Sequence, residues 1–278
     1  MTDDRQNDQP VVLTVAGFDP SGGAGIIADI KTLISLGCRP VAAITSLTFQ
    51  NSTGVFGAVH ENARSLRTQI LPMVEEFRIA AFKTGMLPTP GIVLEVTHLI
   101  RERNLPAPIV DPVLRSSSGY ELMEADAIDV LIDELMPLAR LITPNIPEAE
   151  KLTDLRIEDE AGMRAAAFKL REMGARAVLI KGGHLEQRSE IRGQGSEVRD
   201  QKSEQGFQAI DVLDDEGQVT VIRSEWIDAP PVRGTGCMLS AAIAACLAQG
   251  AELKESVRLA KQFVADAIRN APRLGADP

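Results

Sequence analysis

Aromatic residues are scarce in this chain: 4% in all, with Trp226 and Tyr120 each the single member of its type. Proteins that grip single-stranded nucleic acid stack bases on such rings, and too few are present here. Positive charge is also short. Lys+Arg number 29 against 39 Asp+Glu, a formal net charge of −10, which is the wrong sign for a protein that tracks phosphate backbones. No apolar run approaches the roughly 18 residues of a membrane span. The opening MTDDRQNDQP has neither the basic nor the apolar segment of an export signal. The three cysteines, Cys38, Cys237 and Cys246, form no CxxC pair, so a disulfide framework is not expected and a reducing, cytoplasmic compartment is. What is present is an ordinary globular balance, 44% hydrophobic and 24% charged over 278 residues. That length suffices to bury a sizeable core.

Short apolar runs alternate with helical patterns. VVLTVAG (11–17) reads as a buried strand, and after the turn residues FDPSGGAG (18–25) the segment 26–37 has helical spacing closed by Gly37. Further strands are expected at 41–49, 79–85, 108–113, 140–145 and 176–183, with helices at 61–77, 89–103, 125–138 and 159–173. FQAIDVL and QVTVIRS flank Asp214-Asp215-Glu216-Gly217 as a β-hairpin, and helices at 235–249 and 252–270 follow. Strands separated by helices imply βαβ units: an α/β protein with a mostly parallel central sheet. Residues 184–206 are nearly devoid of large apolar side chains and read as a mobile loop. Residues 1–10 read as a flexible leader, and 11–278 as a single domain.

Ligands in such folds bind beyond the carboxyl ends of the strands. Several expected strands end there in small or polar residues: Gly17, Lys83-Thr84-Gly85-Met86, Asp111, Asn145 and Lys181-Gly182-Gly183. Each alone is consistent with ordinary turn chemistry. GxGxxA at 23–28 sits between a strand and a helix, but five residues precede its glycines and no acidic residue ends the next strand. That weakens a dinucleotide reading, and no GxxxxGK[ST] phosphate loop occurs. Gly234-Thr235-Gly236-Cys237 opening a small-residue helix is sharper. Its N–H groups and the helix dipole make an anion hole, and a thiol at a first helical turn is expected to be acidified. A buried structural cysteine beside a tight turn fits the spacing equally. Asn145 and Glu148, three apart, suit Mg²⁺ ligation or a plain helix cap. Asp111 suits a Mg²⁺-side carboxylate or a turn cap.

Taken in order, VAGFDPSGGAGIIADIKT, ITSLTFQNSTGV, KTGML, VDPV, LITPNIPEAEKL, VLIKGGH and GTGCMLSAAIAA carry a resemblance. From about residue 11 to 270 the chain resembles the hydroxymethylpyrimidine/phosphomethylpyrimidine kinases of thiamine biosynthesis, within the ribokinase-like superfamily. The resemblance implies a three-layer αβα sandwich, ATP with Mg²⁺, a homodimer, and two successive phosphorylations. The first acts on 4-amino-5-hydroxymethyl-2-methylpyrimidine and the second converts its monophosphate to the diphosphate. A pyridoxal or pyridoxine kinase of the same fold is the enzymatic alternative, and a non-catalytic pyrimidine-binding sensor is the alternative of another class.

Carried over by motif, Gln50 and Asp29 bind the aminopyrimidine, with Gly17, Met86 and Val113 as walls. Asn145 and Glu148 associate with Mg²⁺, joined by Asp111. Lys181, Gly183 and Thr235 lie on the nucleotide side, and Gly234, Gly236 and Cys237 are catalytic. Related sugar kinases carry an aspartate at the position of Cys237. A thiol there would spare a phosphorylated second substrate the repulsion of a carboxylate. Ser117 stands where many relatives have lysine, so that phosphate contact is absent or is supplied elsewhere, with Arg115 as a candidate. Met238 replaces a small hydroxyl residue.

Overall fold

Strand β1 (Val11–Phe18) is apolar along most of its length because both of its faces are covered. The same holds for β4 (Ile79–Thr84), β5 (Ile109–Val110), β6 (Leu141–Ile142) and β7 (Ala177–Lys181). Successive side chains point to opposite sides of a sheet. Val12, Ala81, Ile109, Leu141 and Ala177 therefore enter one core, while their neighbours Leu13, Phe82, Val110, Ile142 and Val178 enter the other. On the first side lie α1 (Gly25–Ser35), α7 (Thr235–Ala248) and α8 (Leu253–Arg269). On the second lie α2 (Ala63–Glu76), α3 (Pro90–Arg103), α4 (Ala125–Val130), α5 (Ile146–Thr153) and α6 (Glu160–Glu172). This is the expected three-layer αβα sandwich. It is seen in a computed structural model of the chain that describes residues 9–51, 53–183, 208–227 and 232–270. The expected mobile loop 184–206 and most of the leader fall outside the described residues.

The sheet is completed by β2 (Arg39–Gln50), β3 (Val55–His60), β8 (Gln208–Asp215) and β9 (Gln218–Glu225), in the order β3-β2-β1-β4-β5-β6-β7-β8-β9. The six strands from β2 to β7 in that order are parallel. β3 pairs antiparallel with β2, β8 antiparallel with β7, and β9 antiparallel with β8. From β1 the chain first steps to β2 on one side, then returns through β4 to the other. A crevice opens at such a reversal, beyond the carboxyl ends of β1 and β4.

Three local departures from the sequence reading have physical causes. Residues 55–60, for which the sequence reading gives no element, form the edge strand β3. Its large apolar side chains Phe56 and Val59 are exposed, so it shows no buried face. The helix expected over 125–138 is composite: α4 passes into a wide turn at Leu131–Leu135 and a tight one at Met136–Leu138, where Pro137 has no N–H to continue the α pattern. In the β8–β9 hairpin the loop proper is Glu216-Gly217, both at positive φ (52° and 96°), and Asp214 accepts from Gly217 N at 2.8 Å. α7 is apolar on every face and buried from Leu239 to Cys246, wedged between sheet, α1 and α8. Among the described residues no helix is long and apolar enough to cross a membrane.

Candidate active site

Two glycine turns meet at the crevice. The β1–α1 turn is organised by Asp19, which accepts from Ser21 N (2.8 Å), Ser21 Oγ (2.7 Å) and Gly23 N (3.2 Å). Gly25 sits at φ +55°, and a Cβ on it would lie 2.2 Å from the Gly17 carbonyl oxygen. Gly234, at φ +73°, lies so close to the first turn that a Cβ would meet the Gly23 carbonyl at 2.1 Å. Of the two glycines in the weak dinucleotide pattern, Gly25 therefore serves to let one backbone approach another. Gly17 itself faces Met86, whose Sδ would be 2.9 Å from a Cβ there. Val113 sits two residues past Asp111, its N–H bonded to the Asp111 carbonyl.

Beneath these turns is a chain of buried charge. Asp29 of α1 and Lys83 of β4 have no exposed side-chain surface and pair at 2.8 Å. Thr14 Oγ1 donates to the same Asp29 oxygen at 2.6 Å, and Asp29 Oδ1 has no hydrogen-bond partner. Burial drives Asp29 upward from the usual carboxylate range against the pull of Lys83. Desolvation opposes the charge of Lys83, yet Asp29 above all, with Asp111, holds it well above its ordinary value. Beyond β5, Asp111 Oδ1 accepts from Lys181 Nζ (2.9 Å) and Thr143 Oγ1 (3.2 Å), and Oδ2 from Ser240 Oγ (3.3 Å). Burial opposes the Asp111 charge, yet Lys181 and Lys83 hold its carboxyl below the ordinary range. Gly236 covers this pair: a Cβ on it would stand 3.3 Å from Lys181 Nζ.

The N-terminus of α7 has no side-chain cap. The N–H groups of Thr235, Gly236 and Cys237 thus have no acceptor within the helix, an arrangement that can receive an anion. One expectation is corrected. The Cys237 thiol is not acidified by the helix end: desolvation dominates and pushes it up to about 11, with Lys83 opposing and Asp29 and Asp111 reinforcing. At neutral pH Cys237 is a neutral thiol. Cys38 and Cys246 are buried and structural, as expected.

Asn145 and Glu148 form a reciprocal capping box at the start of α5: Glu148 N donates to Asn145 Oδ1 (2.9 Å) and Asn145 N to Glu148 Oε2 (2.8 Å). The capping alternative is thus realised. It does not compensate the Glu148 charge: burial above all, aided by Asp111, raises that carboxyl to about 7 despite Lys181. Two buried carboxylates around one ammonium are hard oxygen donors short of positive charge, a fit for Mg²⁺. Among the described residues no group of three or more acidic, His or Cys side chains could hold a metal alone, so an ion here would rely on phosphate and water.

Lys181, Gly183 and Thr235 come together as expected, lining a cavity of about 240 Å³ between β9 and the helices α7 and α8. Its other walls include Leu239, Val264 and Ile268 and the Asp211–Lys261 pair (2.7 Å). Apolar walls with few polar groups suit a flat heterocycle. Asp29 stands apart from the expectation that it lines an open pocket, because it is fully enclosed with Lys83. Gln50 ends β2, and its Oε1 accepts from Arg233 Nη2 at 2.9 Å.

Sequence reasoning put Lys83 at a candidate strand end but assigned no role to it, nor to Ser240, Asp19 and Arg233. Lys83 had a signal: one lysine within the apolar strand IAAFKT must find a buried partner. Asp19 had a local one, an acidic residue two and four positions before the turn residues Ser21 and Gly23 that it caps. Ser240 and Arg233 had none, because Asp111 and Gln50 are remote in the chain.

Fold and site together define a phosphotransferase of the ribokinase-like class, with an uncapped helix end and a cavity beside it. Residues 19–277 match the phosphomethylpyrimidine kinase family, and the chain belongs to it. It is 37% identical to the hydroxymethylpyrimidine/phosphomethylpyrimidine kinase of Streptomyces coelicolor, covering 96% of this chain and 91% of that protein. The crystal structure of phosphomethylpyrimidine kinase from Clostridium difficile superposes with TM-score 0.76 at 36% identity, covering 94% of this chain and 100% of that one. An ADP complex of Bacillus subtilis pyridoxal kinase superposes at 0.80 with 34% identity, covering 96% and 94%.

Lys83→Met leaves Asp29 buried without its counter-charge and is expected to lower stability by about 3–5 kcal/mol. The double variant Asp29→Asn/Lys83→Met recovers most of that in urea unfolding; equal losses in both would show that the pair is not coupled. Glu148→Gln keeps the capping acceptor but not the titration. A carboxyl raised when folded contributes stability that is present below its unfolded value of 4.5 and is lost as pH rises to about 7. The stability of the wild type relative to Glu148→Gln therefore falls by a few kcal/mol across that window, and a flat difference would contradict it.

Proposed function

We propose that this chain is the ATP- and Mg²⁺-dependent kinase that phosphorylates 4-amino-5-hydroxymethyl-2-methylpyrimidine and then its monophosphate, a cytoplasmic step of thiamine diphosphate formation. The observation that carries the two-step reading is Cys237, a neutral thiol at the mouth of the anion hole. Phosphoryl transfer draws chiefly on positioning and charge stabilisation. The N–H groups of Thr235, Gly236 and Cys237 receive the charge developing on the transferred group, and Lys181 adds positive charge beside them. A phosphate nucleophile needs little deprotonation, and a thiol does not repel it.

Gln50 offers both donor and acceptor to the aminopyrimidine, with Gly17, Met86 and Val113 bounding the ring. Asp29 acts from behind, holding Lys83 charged beneath Cys237. The cavity lined by Lys181, Gly183 and Thr235 takes the adenine end of ATP. Adenosine nucleotides occupy the pyridoxal kinases of Bacillus subtilis and Staphylococcus aureus that share this fold. Asp111 and Glu148 would hold Mg²⁺, and Asn145 orients Glu148. The ion would offset charge on the transferring phosphates.

Shape does not separate pyrimidine from pyridoxal, since the pyridoxal kinase superposes as well as the pyrimidine kinase does. Gln50 and the family match favour the pyrimidine. ATP consumption with hydroxymethylpyrimidine, its monophosphate and pyridoxal in parallel is expected to show turnover of the first two. Turnover of pyridoxal alone would overturn the reading. Cys237→Asp is expected to reduce kcat/KM for the monophosphate about tenfold more than for the alcohol, and equal losses would refute the electrostatic role.

An exposed apolar ribbon supports the homodimer reading. Leu47 and Phe49 of β2 lie on one face with Val59 of β3, all exposed, and Leu47 pairs directly with Val59. A second copy covering this apolar ribbon is expected to sediment as a dimer, and Phe49→Asp to shift it to monomer; a monomeric wild type would rule this out.

A further inference from the structure

The second reaction poses a problem that the first does not: an acidic chain has to hold a substrate that carries its own phosphate. The cation anticipated from the sequence, Arg115, gives two N–H groups to Glu121, and both side chains are exposed. Its charge is already matched on the turn that packs against Gly54 and Val55.

Arg233 differs. It immediately precedes Gly234 and the anion hole. Its Nη2 donates to Gln50 Oε1 at 2.9 Å, and its Nη1 donates to the Asn51 carbonyl. Both acceptors are neutral, so among the described residues the guanidinium is held in place without a carboxylate partner. The nearby Asp19 is committed to Ser21 and Gly23 within its own turn. Arg233 therefore bridges the side chain that reads the ring and the backbone that receives the transferred group. A phosphate attached to a ring held by Gln50 and aimed at Gly234–Cys237 has to pass this guanidinium. Two N–H groups in a planar fork match two phosphate oxygens.

We propose that Arg233 recognises the phosphate of the monophosphate substrate and sets the preference between the two reactions. This rests on the two-step kinase reading above. In the step it serves, a non-bridging oxygen of the bound monophosphate dianion forms a bond to the γ-phosphorus of ATP. The bond from that phosphorus to the bridging oxygen breaks, and ADP departs with the electron pair. No proton has to be removed. When the phosphate arrives, Arg233 exchanges neutral acceptors for anionic ones, and Gln50 Oε1 is released to accept from the exocyclic amine of the ring.

The test measures kcat and KM for the alcohol and for the monophosphate, at saturating ATP, in the wild type, Arg233→Gln, Arg233→Lys and Arg115→Gln. Arg233→Gln is expected to lower kcat/KM for the monophosphate at least about tenfold more than for the alcohol, mainly through KM. Arg233→Lys keeps the charge without the fork and falls between. If the glutamine variant does not fold, the lysine variant reads the same ratio. Equal losses on both substrates would show that Arg233 only positions Gln50, and would overturn the proposal. A selective loss in Arg115→Gln with none at Arg233 would overturn it too. If the wild type turns over the alcohol but not the monophosphate, the two-step reading fails first, and that is read without any variant.

Discussion

The site depends on keeping ionised groups inside the protein at the carboxyl ends of the parallel strands. Asp29 with Lys83, and Asp111 with Lys181, place two carboxylates and two ammoniums under the glycine turns at separations of 2.8 and 2.9 Å. Any one of these charges alone would be expelled or neutralised by desolvation. Together they persist because every charge has an opposite neighbour and hydroxyls of Thr14, Thr143 and Ser240 take further lone pairs. The helices and strands that carry them are far apart in the chain, so the pairs also fix how α1, α7 and the sheet meet.

That arrangement explains the character of Cys237. A helix N-terminus alone would favour a thiolate. Here Asp29 and Asp111 add negative potential and burial removes water, and the two outweigh Lys83, so the thiol stays protonated. A neutral group at the mouth of an anion hole leaves the positive potential of the N–H groups available to whatever anion enters. The net charge of −10 is no obstacle, because helix ends, backbone amides and paired lysines act over a few ångströms while the surface charge is screened.

The glycines serve geometry more than flexibility. Gly25 and Gly234 are needed because carbonyl oxygens of Gly17 and Gly23 stand where a Cβ would be. Two turns from opposite ends of the chain can then close over one another, which sets the anion hole against the end of β1. Arg233 belongs to the same junction, reaching from the second turn to Gln50 at the end of β2.

Much of this was legible in the residues alone. Apolar strands alternating with helical periods determined the layered α/β architecture, since a strand apolar on both faces requires cover on both. The ordered motifs determined the family, and GTGC placed a glycine turn at the start of a helix. Edge strand β3 was not legible, because Phe56 and Val59 are exposed and the pattern lacks a buried side. Neither was the protonation of Cys237, the partnership of Lys83 with Asp29, nor the reach of Arg233 to Gln50. Periodicity and spacing report a residue's local surroundings along the chain. Charge states and long-range hydrogen bonds are sums over neighbours that only folding brings together, so the tertiary structure alone decided them.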